Sequence, residues 1–251
     1  MGYTGLDRKV IVVTGAAQGI GAAYARRLVA EGATVVAADR NGDGVRRLAE
    51  ELGELAIPFE LDVARADSVK ELAAFLTDRF GRVDGLLNNA AIFSTIRMAP
   101  FWEITEEEWD SILRVNVTGV WLLTSALVDL LRASGSASIV NIGSDSVVLG
   151  RQNYLHYVAS KGAVTGMTYA MSKELGGFGI RVNTLSPGPV YTEIARDTVT
   201  EAQKQAMLAS QAIKRTAGPE DMTSVAAFLL SDDSAYVTGQ TISVNGGLWH
   251  R

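Results

Sequence analysis

Short apolar runs alternate with longer stretches of mixed polarity along this chain of 251 residues. A run that is apolar at nearly every position is typical of a strand buried on both faces, as in a parallel sheet. Seven runs of this kind predict β-strands: Val10–Val13, Thr34–Ala38, Ala56–Leu61, Val83–Leu87, Ser138–Ile142, Ile180–Leu185 and Thr241–Val244.

The segments between these runs predict helices. Thr105–Glu108 forms a capping box, a sequence that commonly starts a helix, and we expect a long helix after it. Further helices are predicted at Ile20–Glu31, Asp67–Phe80, Tyr154–Leu175 and Pro219–Leu230. This alternation predicts an α/β fold: a Rossmann-like, doubly wound, seven-stranded and mostly parallel sheet with helices on both faces. No repeat or linker divides the chain, so we expect a single domain, residues 1–251.

The stretch after the sixth strand departs from the alternation. Pro187–Thr216 contains a Pro-Gly-Pro sequence followed by a polar, weakly amphipathic segment, and it is longer than an ordinary connection. We expect a substrate lid there, at about 188–216. Together with the loop Ser94–Trp102, this lid should determine which substrate is accepted.

The charge balance excludes several classes of partner. The net charge is −5, and no run of Lys or Arg exceeds two residues, so neither nucleic acid nor an anionic membrane is an expected partner. The longest apolar stretch, Val120–Leu131, is interrupted by polar residues and is too short to span a bilayer. The run Val10–Val13 is too short for a signal peptide. We therefore expect a soluble, cytoplasmic protein.

Metal chemistry is not expected. The chain has no cysteine, which excludes disulfides and thiolate ligands, and its two histidines, His156 and His250, are far apart in the sequence. We expect no bound metal.

A glycine-rich turn follows the first strand. Thr14-Gly15 ends the strand, and Gly19-Ile20-Gly21 opens a helix. Glycines lack Cβ atoms, so this backbone can turn tightly and approach a pyrophosphate, whose charge is favoured by the N–H groups at a helix N-terminus. The spacing G-x-x-x-G-x-G differs from the G-x-G-x-x-G of many dinucleotide sites, and by itself it also fits an ordinary turn.

Asp39 at the end of the second strand favours one cofactor over the other. A carboxylate there can accept hydrogen bonds from the adenosine ribose hydroxyls and repel a 2′-phosphate, so NAD is expected rather than NADP. The neighbouring Arg40 leaves an alternative open, because it could neutralise Asp39, bind a phosphate, stack on adenine or face solvent.

Polar residues follow two more strands. Asp62-Val63 comes after the third strand, and Asn88-Asn89-Ala90-Ala91 comes after the fourth. Open α/β sheets bind their ligand at the carboxyl ends of the strands, so we expect these residues at the cofactor site.

Tyr157 and Lys161 are spaced i and i+4 and therefore share one face of a predicted helix. Bringing a tyrosine pKa from about 10 to near 7 requires roughly 4 kcal/mol of preferential stabilisation of the phenolate. An ammonium about 5 Å away, at an effective dielectric near 20, supplies roughly 3 kcal/mol of that. The pair is thus suited to moving a proton, and Lys161 has further donors for a ribose hydroxyl.

Tyr169 and Lys173 repeat this spacing on the same helix. Tyr169 lies about 18 Å along the helix from Tyr157 and roughly 120° around it. The residue 13 positions before Tyr157 is Ser144, whereas the one before Tyr169 at that distance is His156. We therefore expect Tyr169 and Lys173 to have packing and surface roles.

Ser144 directly follows the fifth strand, where its hydroxyl could donate to a substrate oxygen beside Tyr157. Ser146 competes with it for this role.

Asn116 could hold a water that relays protons behind Lys161, or it could simply bend its helix or satisfy its hydrogen bonds. His156 is a poor candidate for a base, because adjacent helical residues point about 100° apart. Asp145 is expected to be a loop carboxylate.

Taken in order, these motifs resemble the short-chain dehydrogenase/reductase family in its form of about 250 residues. The match spans nearly the whole chain and includes Pro187-Gly188 with Thr192 and a late Thr238-Gly239-Gln240. The resemblance implies a homotetramer and a catalytic tetrad of Asn116, Ser144, Tyr157 and Lys161. With the residues above, it implies these cofactor-binding residues: Gly15, Gln18, Gly19, Ile20, Gly21, Asp39, Arg40, Asp62, Val63, Asn89, Ala90, Tyr157, Lys161, Pro187, Gly188, Val190 and Thr192.

Three positions depart from the family pattern. Ala91 stands where the family has glycine, which reduces the backbone freedom of that turn. Gly143 replaces the first serine of a usual pair, and Asn245 replaces a common aspartate. We expect the chemistry to survive all three changes.

Three functions are compatible with these residues. The first is an NAD-dependent oxidoreductase that interconverts a secondary alcohol and a ketone, with an aromatic or cyclic alcohol as a suggested substrate. Phe93, Tyr154 and Trp102 could form its apolar pocket or belong to the core, and Ser146 is a further candidate substrate contact. The second is an NADPH-dependent 3-oxoacyl-[acyl-carrier-protein] reductase, disfavoured by Asp39 and by Phe178, which stands where such reductases place a basic residue. The third is a non-catalytic dinucleotide-binding protein.

Overall fold

The computed structural model describes residues 2–194 and 200–250 and contains one seven-stranded sheet. Its strands are β1 (Val10–Thr14), β2 (Thr34–Asp39), β3 (Ala56–Glu60), β4 (Gly85–Asn88), β5 (Ser138–Ile142), β6 (Arg181–Pro187) and β7 (Thr241–Val244). The spatial order is β3-β2-β1-β4-β5-β6-β7, and every neighbouring pair is parallel. The predicted α/β, Rossmann-like fold is confirmed.

Helices cover both faces of this sheet. They are α1 (Gly19–Ala30), α2 (Gly42–Leu52), α3 (Ala66–Phe80), α4 (Glu106–Leu113), α5 (Gly119–Ser134), α6 (Ser146–Leu149), α7 (Leu155–Leu175), α8 (Glu201–Ser210) and α9 (Glu220–Leu230). Alternate residues of β1 point to opposite faces, so Ile11 packs into one core cluster with Leu28 of α1, and Val12 packs into the other with Leu127 of α5.

The strand order reverses between β1 and β4. The chain proceeds outward from β1 to β3 and then returns to place β4 on the other side of β1. The connections on the two sides of this point turn away from each other and leave a crevice at the carboxyl ends of the strands. That crevice is where an open α/β sheet binds its ligand.

Helix α2 was not predicted from the sequence. Its buried residues include Val45, Leu48 and Ala49, and the rest of the helix is largely charged or exposed. The helix begins after Asn41, whose side chain accepts a hydrogen bond of 3.0 Å from the N–H of Gly44. Val45, Leu48, Ala49 and Leu52 repeat at i, i+3, i+4 and i+7, so the sequence itself carries the spacing that indicates this helix.

The long helix expected after Thr105 is divided. The capping box is present, but α4 ends at Leu113, and Arg114–Thr118 form a π-helical turn before α5 begins. The helical stretch Glu106–Ser134 is long and apolar enough to cross a membrane by length and composition alone. Its buried leucines, among them Leu123 and Leu131, belong to the core under the sheet, as expected of a core helix.

The predicted lid at 188–216 contains α8, which starts with a capping box at Thr200. Residues 195–199 of that lid lie outside the described residues. Upstream of them, Val190 pairs with Ala217 in an isolated bridge, which ties the start of the lid to its end.

Candidate active site

A cavity of about 750 Å³ lies at the carboxyl ends of the strands. It is lined by all of the residues that the sequence assigned to the cofactor: Gly15, Gln18, Gly19, Ile20, Gly21, Asp39, Arg40, Asp62, Val63, Asn89, Ala90, Tyr157, Lys161, Pro187, Gly188, Val190 and Thr192. Ser144, Ser146 and Phe93 line the same cavity. The glycine turn, the strand ends and the helix that carries Tyr157 therefore converge on one space.

The glycine turn after β1 is closely packed against the end of β4. Gly15 has a φ of 67°, and a Cβ on Gly21 would lie 1.9 Å from the carbonyl oxygen of Gly15. The Nδ2 of Asn89 donates hydrogen bonds to the carbonyls of Thr14 and Gly15, at 2.9 and 3.2 Å. Ala91 does not have a positive φ, so alanine is compatible with the turn that it occupies.

The N-terminus of α1 already holds an anion supplied by the chain itself. The N–H of Gly19 donates a hydrogen bond of 2.7 Å to the Glu193 carboxylate. A turn with three glycines, at whose end a helix N–H attracts a carboxylate, fits the pyrophosphate of a dinucleotide. The residues present are thus suited to NAD(P).

Asp39 is held in place at the end of β2. One carboxylate oxygen accepts a hydrogen bond of 3.1 Å from the N–H of Ala17, and the other accepts one of 2.9 Å from the N–H of Asn41. These bonds fix the carboxylate beside the glycine turn and leave further lone pairs for ribose hydroxyls. Arg40 is exposed at the cavity rim, and within residues 2–194 and 200–250 it forms no ion pair within 4.0 Å.

Lys161 lies next to Tyr157 and lines the same cavity. Its side chain is 3% exposed, and its Nζ donates a hydrogen bond of 2.7 Å to the carbonyl of Ile142 at the end of β5. The Nζ is 5.9 Å from the centroid of the Tyr157 ring. Burial lowers the pKa of Lys161 to about 8, which still leaves mostly ammonium at neutral pH. The positive charge expected beside Tyr157 is therefore available there.

The two competing serines have different positions in one hydrogen-bond chain. The Oγ of Ser144 accepts hydrogen bonds from the N–H and the hydroxyl of Ser146, at 3.2 and 2.9 Å. With its oxygen engaged as an acceptor, Ser144 can direct its own hydroxyl hydrogen into the cavity. Ser146 thus orients Ser144, although both line the cavity.

Asn116 does not line the cavity, although the tetrad places it with the catalytic residues. It is buried in the π-helical turn, where its Oδ1 accepts a hydrogen bond of 2.8 Å from the N–H of Ile92. Its Nδ2 donates to the Oγ of Ser160, at 3.1 Å, one residue before Lys161. The side chain ties the loop after β4 to α7 from behind, which leaves the proposed proton relay a prediction.

Asp145 is more than the loop carboxylate that the sequence indicated. It is buried next to Ser144, and its carboxylate accepts hydrogen bonds of 2.7 to 2.9 Å from four side chains: Ser186, Ser243, Asn245 and Trp249. These donors come from β6, β7 and the segment that follows β7. Asp145 therefore joins the strand ends behind Ser144 to the C-terminal segment, and Asn245 is one of its donors.

Gly143 fits its position because space is limited there. A Cβ at residue 143 would lie 2.6 Å from the Cγ2 of Thr184 on β6. Glycine is therefore favoured over the usual serine, because the side chain of Thr184 on the adjacent strand leaves no room for a Cβ.

His156 and Tyr169, which the sequence analysis set aside, lie away from the cavity. His156 is buried, burial lowers its pKa, and its Nδ1 has no hydrogen-bond partner among the described residues. Tyr169 is 45% exposed on α7, with its hydroxyl 3.5 Å from that of Thr241. Neither side chain lines the cavity, which agrees with the roles expected for them.

The substrate end of the cavity requires a correction. Phe93 lines it and packs against Tyr157, with ring centroids 4.8 Å apart. Tyr154, expected as a substrate contact, is 1% exposed and does not line the cavity, because it packs behind Phe93 in a small core cluster. Trp102 is 72% exposed and also lies outside it. Arg151, not considered from the sequence, lines the cavity at this end.

Known proteins are similar to this chain over nearly its whole length. A family model described as enoyl-(acyl carrier protein) reductase matches residues 15–249. A 3-oxoacyl-[acyl-carrier-protein] reductase of Thermotoga maritima is 38% identical over 97% of this chain and 98% of that protein. A D-threitol dehydrogenase of Mycolicibacterium smegmatis is 36% identical over 96% of this chain and 93% of that protein.

Two solved structures from Brucella melitensis share the fold. One, a short-chain dehydrogenase/reductase described as glucose/ribitol dehydrogenase, has a TM-score of 0.92 and 32% identity over the whole of both chains. The other, a 3-ketoacyl-(acyl-carrier-protein) reductase complexed with NADH, has a TM-score of 0.89 and 33% identity, and it covers 97% of this chain and 99% of that one. The resemblance inferred from the motifs is confirmed, and the chain belongs to the short-chain dehydrogenase/reductase family, as an oxidoreductase that acts on CH–OH groups with NAD(P).

Proposed function

We propose that this protein is an NAD(H)-dependent oxidoreductase that interconverts a secondary alcohol and a ketone. The observation that carries the proposal is the shared cavity of Ser144 and Tyr157, with the buried ammonium of Lys161 directly behind the tyrosine. A hydroxyl donor, a phenol and a cation in one partly enclosed space form the set of groups needed to deprotonate an alcohol.

The chain's own residues move the proton. The Tyr157 phenolate takes the proton of the substrate hydroxyl, while Ser144 donates a hydrogen bond to the same oxygen. As the C=O bond forms, hydrogen leaves the carbinol carbon with its electron pair. NAD bound in this cavity would supply the acceptor for that hydride. Lys161 stabilises the phenolate electrostatically, and of its three N–H donors one is used by Ile142, so the others can hold a ribose hydroxyl.

Asp39 supports NAD over NADP. Its carboxylate is fixed beside the glycine turn by two backbone N–H groups, where a 2′-phosphate would meet its negative charge. The Brucella reductase with which this chain shares its fold is complexed with NADH. Arg40 follows Asp39 directly and lines the cavity rim, so its positive charge could weaken the preference for NAD. Initial rates with NAD and NADP measure the size of that preference.

A screen of secondary alcohols and ketones, coupled to NAD(H) absorbance, tests the proposal. Tyr157→Phe should reduce kcat by at least about a hundredfold, since general acid–base groups contribute roughly 10² to 10⁴. Tyr169→Phe provides the matched control, because it removes the same hydroxyl from the same helix outside the cavity. Near-normal turnover by Tyr157→Phe would overturn the mechanism.

A second candidate is a 3-oxoacyl-[acyl-carrier-protein] reductase that uses NADPH. The names of the Thermotoga relative and of the Brucella structure favour it. Asp39 and the exposed Phe178 weigh against it. Reduction of an acetoacetyl thioester with a large advantage for NADPH over NADH would establish this function in place of the first.

We further propose that the protein works in the cytoplasm as a homotetramer, in keeping with the family resemblance. Light scattering on the purified protein measures the assembly directly, and a monomer at micromolar concentration would contradict the proposal.

A further inference from the structure

Arg151 extends from the loop between α6 and α7 into the wall of the cavity. Its Cζ lies 4.1 Å from the ring centroid of Tyr154 and 5.9 Å from that of Phe93. Phe93 in turn packs on Tyr157, with 4.8 Å between ring centroids. The guanidinium therefore belongs to the same aromatic cluster as the catalytic phenol.

This guanidinium has few partners of its own. Within residues 2–194 and 200–250, its one hydrogen bond is a long contact of 3.4 Å from Nη2 to the hydroxyl of Tyr154, and no carboxylate oxygen lies within 4.0 Å. A guanidinium carries five N–H donors. Most of the donors of Arg151 are thus available to a ligand.

Stacking determines which of these donors face the cavity. The ring of Tyr154 covers one face of the guanidinium, and Tyr154 is itself fixed by burial. A guanidinium held by its face keeps its in-plane N–H groups free, and these match the two oxygens of a carboxylate. Such pre-organisation reduces the entropy lost when a ligand binds.

We propose that the substrate is a hydroxy acid, or the corresponding oxo acid, whose carboxylate binds Arg151 while Ser144 and Tyr157 hold the reacting oxygen. Phe93, between the two polar ends, packs against the apolar body of the substrate. This inference rests on the proposed alcohol–ketone chemistry and adds the class of substrate. Arg151 acts as a specificity-determining residue and takes no part in the proton transfer.

Kinetics with matched substrates test this role. Each hydroxy acid in a panel is compared with its methyl ester, which keeps the hydroxyl and removes the charge. We expect the acid to be preferred by the unmodified enzyme, and Arg151→Met to lower kcat/KM for the acid by about 30-fold or more, mainly through KM, with the ester little affected. Equal losses for acid and ester, or no preference in the unmodified enzyme, would overturn the inference.

Arg79→Met is the matched control. Arg79 also stacks on aromatic rings, with its Cζ 5.9 Å from the centroid of Phe75 and 5.7 Å from that of Phe80, but it lies on α3 and does not line the cavity. This variant should leave the ratio of acid to ester unchanged.

A binding experiment separates this inference from the proposed function. Calorimetry with phenylacetate, phenylacetamide and phenyl phosphate, in the presence of NADH, requires no turnover. Tighter binding of phenylacetate than of the amide, lost in Arg151→Met, would support the carboxylate site even if no alcohol in the panel reacted. Tighter binding of phenyl phosphate would show that the site takes phosphate esters instead, and no measurable binding of any of the three would overturn it.

Discussion

The Glu193 carboxylate accepts a hydrogen bond of 2.7 Å from the N–H of Gly19 at the start of α1. The same N–H groups form the cradle that suits a dinucleotide pyrophosphate, so the segment predicted to be a lid carries an internal competitor for the anion site. Both groups are negative, and they cannot share one helix N-terminus without repulsion. We therefore expect cofactor binding to displace the Glu193 side chain from this position.

We expect Glu193→Ala to bind NADH more tightly than the unmodified protein does. Removing the competing carboxylate should make the free energy of NADH binding about 1 kcal/mol more favourable, which corresponds to roughly fivefold higher affinity. Fluorescence titration of NADH gives both dissociation constants. Glu54→Ala, which removes an exposed carboxylate that does not line the cavity, serves as the control. Unchanged or weaker binding by Glu193→Ala would show that the carboxylate does not compete with the cofactor.

The preference for NAD should depend on Asp39. In Asp39→Ser the carboxylate is gone and Arg40 is free to meet a 2′-phosphate, so we expect the ratio of kcat/KM for NADP to that for NAD to rise by roughly 10- to 100-fold. Initial rates at varied concentrations of each cofactor measure this ratio.

A double variant separates the two side chains. Adding Arg40→Ala to Asp39→Ser should reverse most of the gain for NADP, because the cation that binds the phosphate is lost. If Asp39→Ser alone left the ratio unchanged, the carboxylate would not be what discriminates between the cofactors.

The parts of the fold that could be predicted are those whose physical cause is local. The strands are recognisable because a strand buried on both faces must be apolar at nearly every position, as in Val10–Val13. Helix α2 was predictable by the same reasoning, although it was not predicted, because Val45, Leu48, Ala49 and Leu52 follow helical spacing. The π-helical turn around Asn116 was missed because no simple periodicity marks it.

The parts of the site that could not be predicted depend on contacts between distant segments. In the sequence, Asp145 has the pattern of an ordinary loop residue. Its role is visible only in the structure, where Trp249, 104 positions later, donates a hydrogen bond to it. Arg151 follows a glycine in a sequence typical of a turn, so its place beside Phe93 is visible only in three dimensions. Tyr157 and Lys161 could be predicted because one helix holds both, and Ser144, 13 positions before Tyr157, separated them from the repeated pair Tyr169 and Lys173.

Removing the Asp145 carboxylate should strongly destabilise the protein. Asp145→Ala leaves four side-chain donors behind Ser144 without their acceptor. Each buried unsatisfied donor costs about 1 to 3 kcal/mol, so we expect the free energy of unfolding to fall by at least about 3 kcal/mol. Urea unfolding followed by circular dichroism measures the loss.

Exchanging the side chains of Asp145 and Asn245 tests the same hydrogen bonds while a carboxylate is kept in the cluster. In Asp145→Asn combined with Asn245→Asp, the carboxylate moves across the contact to the position where the family commonly has aspartate. The carboxylate introduced at position 245 could then accept from the new amide as well as from the backbone N–H groups that Asn245 already engages. We expect the pair to recover part of the stability lost in Asp145→Asn alone, and additive losses would argue against a direct contact between the two side chains.

Lys161 should lower stability at neutral pH. Its pKa is about 8 in the folded protein and near its usual value of about 10.4 in the unfolded chain, a difference that corresponds to about 3 kcal/mol. The folded protein holds this proton more weakly than the unfolded chain does. The cost of burying the ammonium is therefore fully present below pH 8 and disappears as the pH rises towards 10.4.

Lys161→Met should for this reason be more stable than the unmodified protein at pH 7, although inactive or nearly so. The hydrogen bond to Ile142 is lost, at about 1 kcal/mol, which leaves a net gain of about 2 kcal/mol at pH 7 that fades by pH 10. Urea unfolding at both pH values measures it. Lys173→Met, on the exposed side of the same helix, should change stability little at either pH. A stability difference for Lys161→Met that is the same at pH 7 and pH 10 would mean that the buried ammonium is not its source, because only a titrating group makes the difference depend on pH.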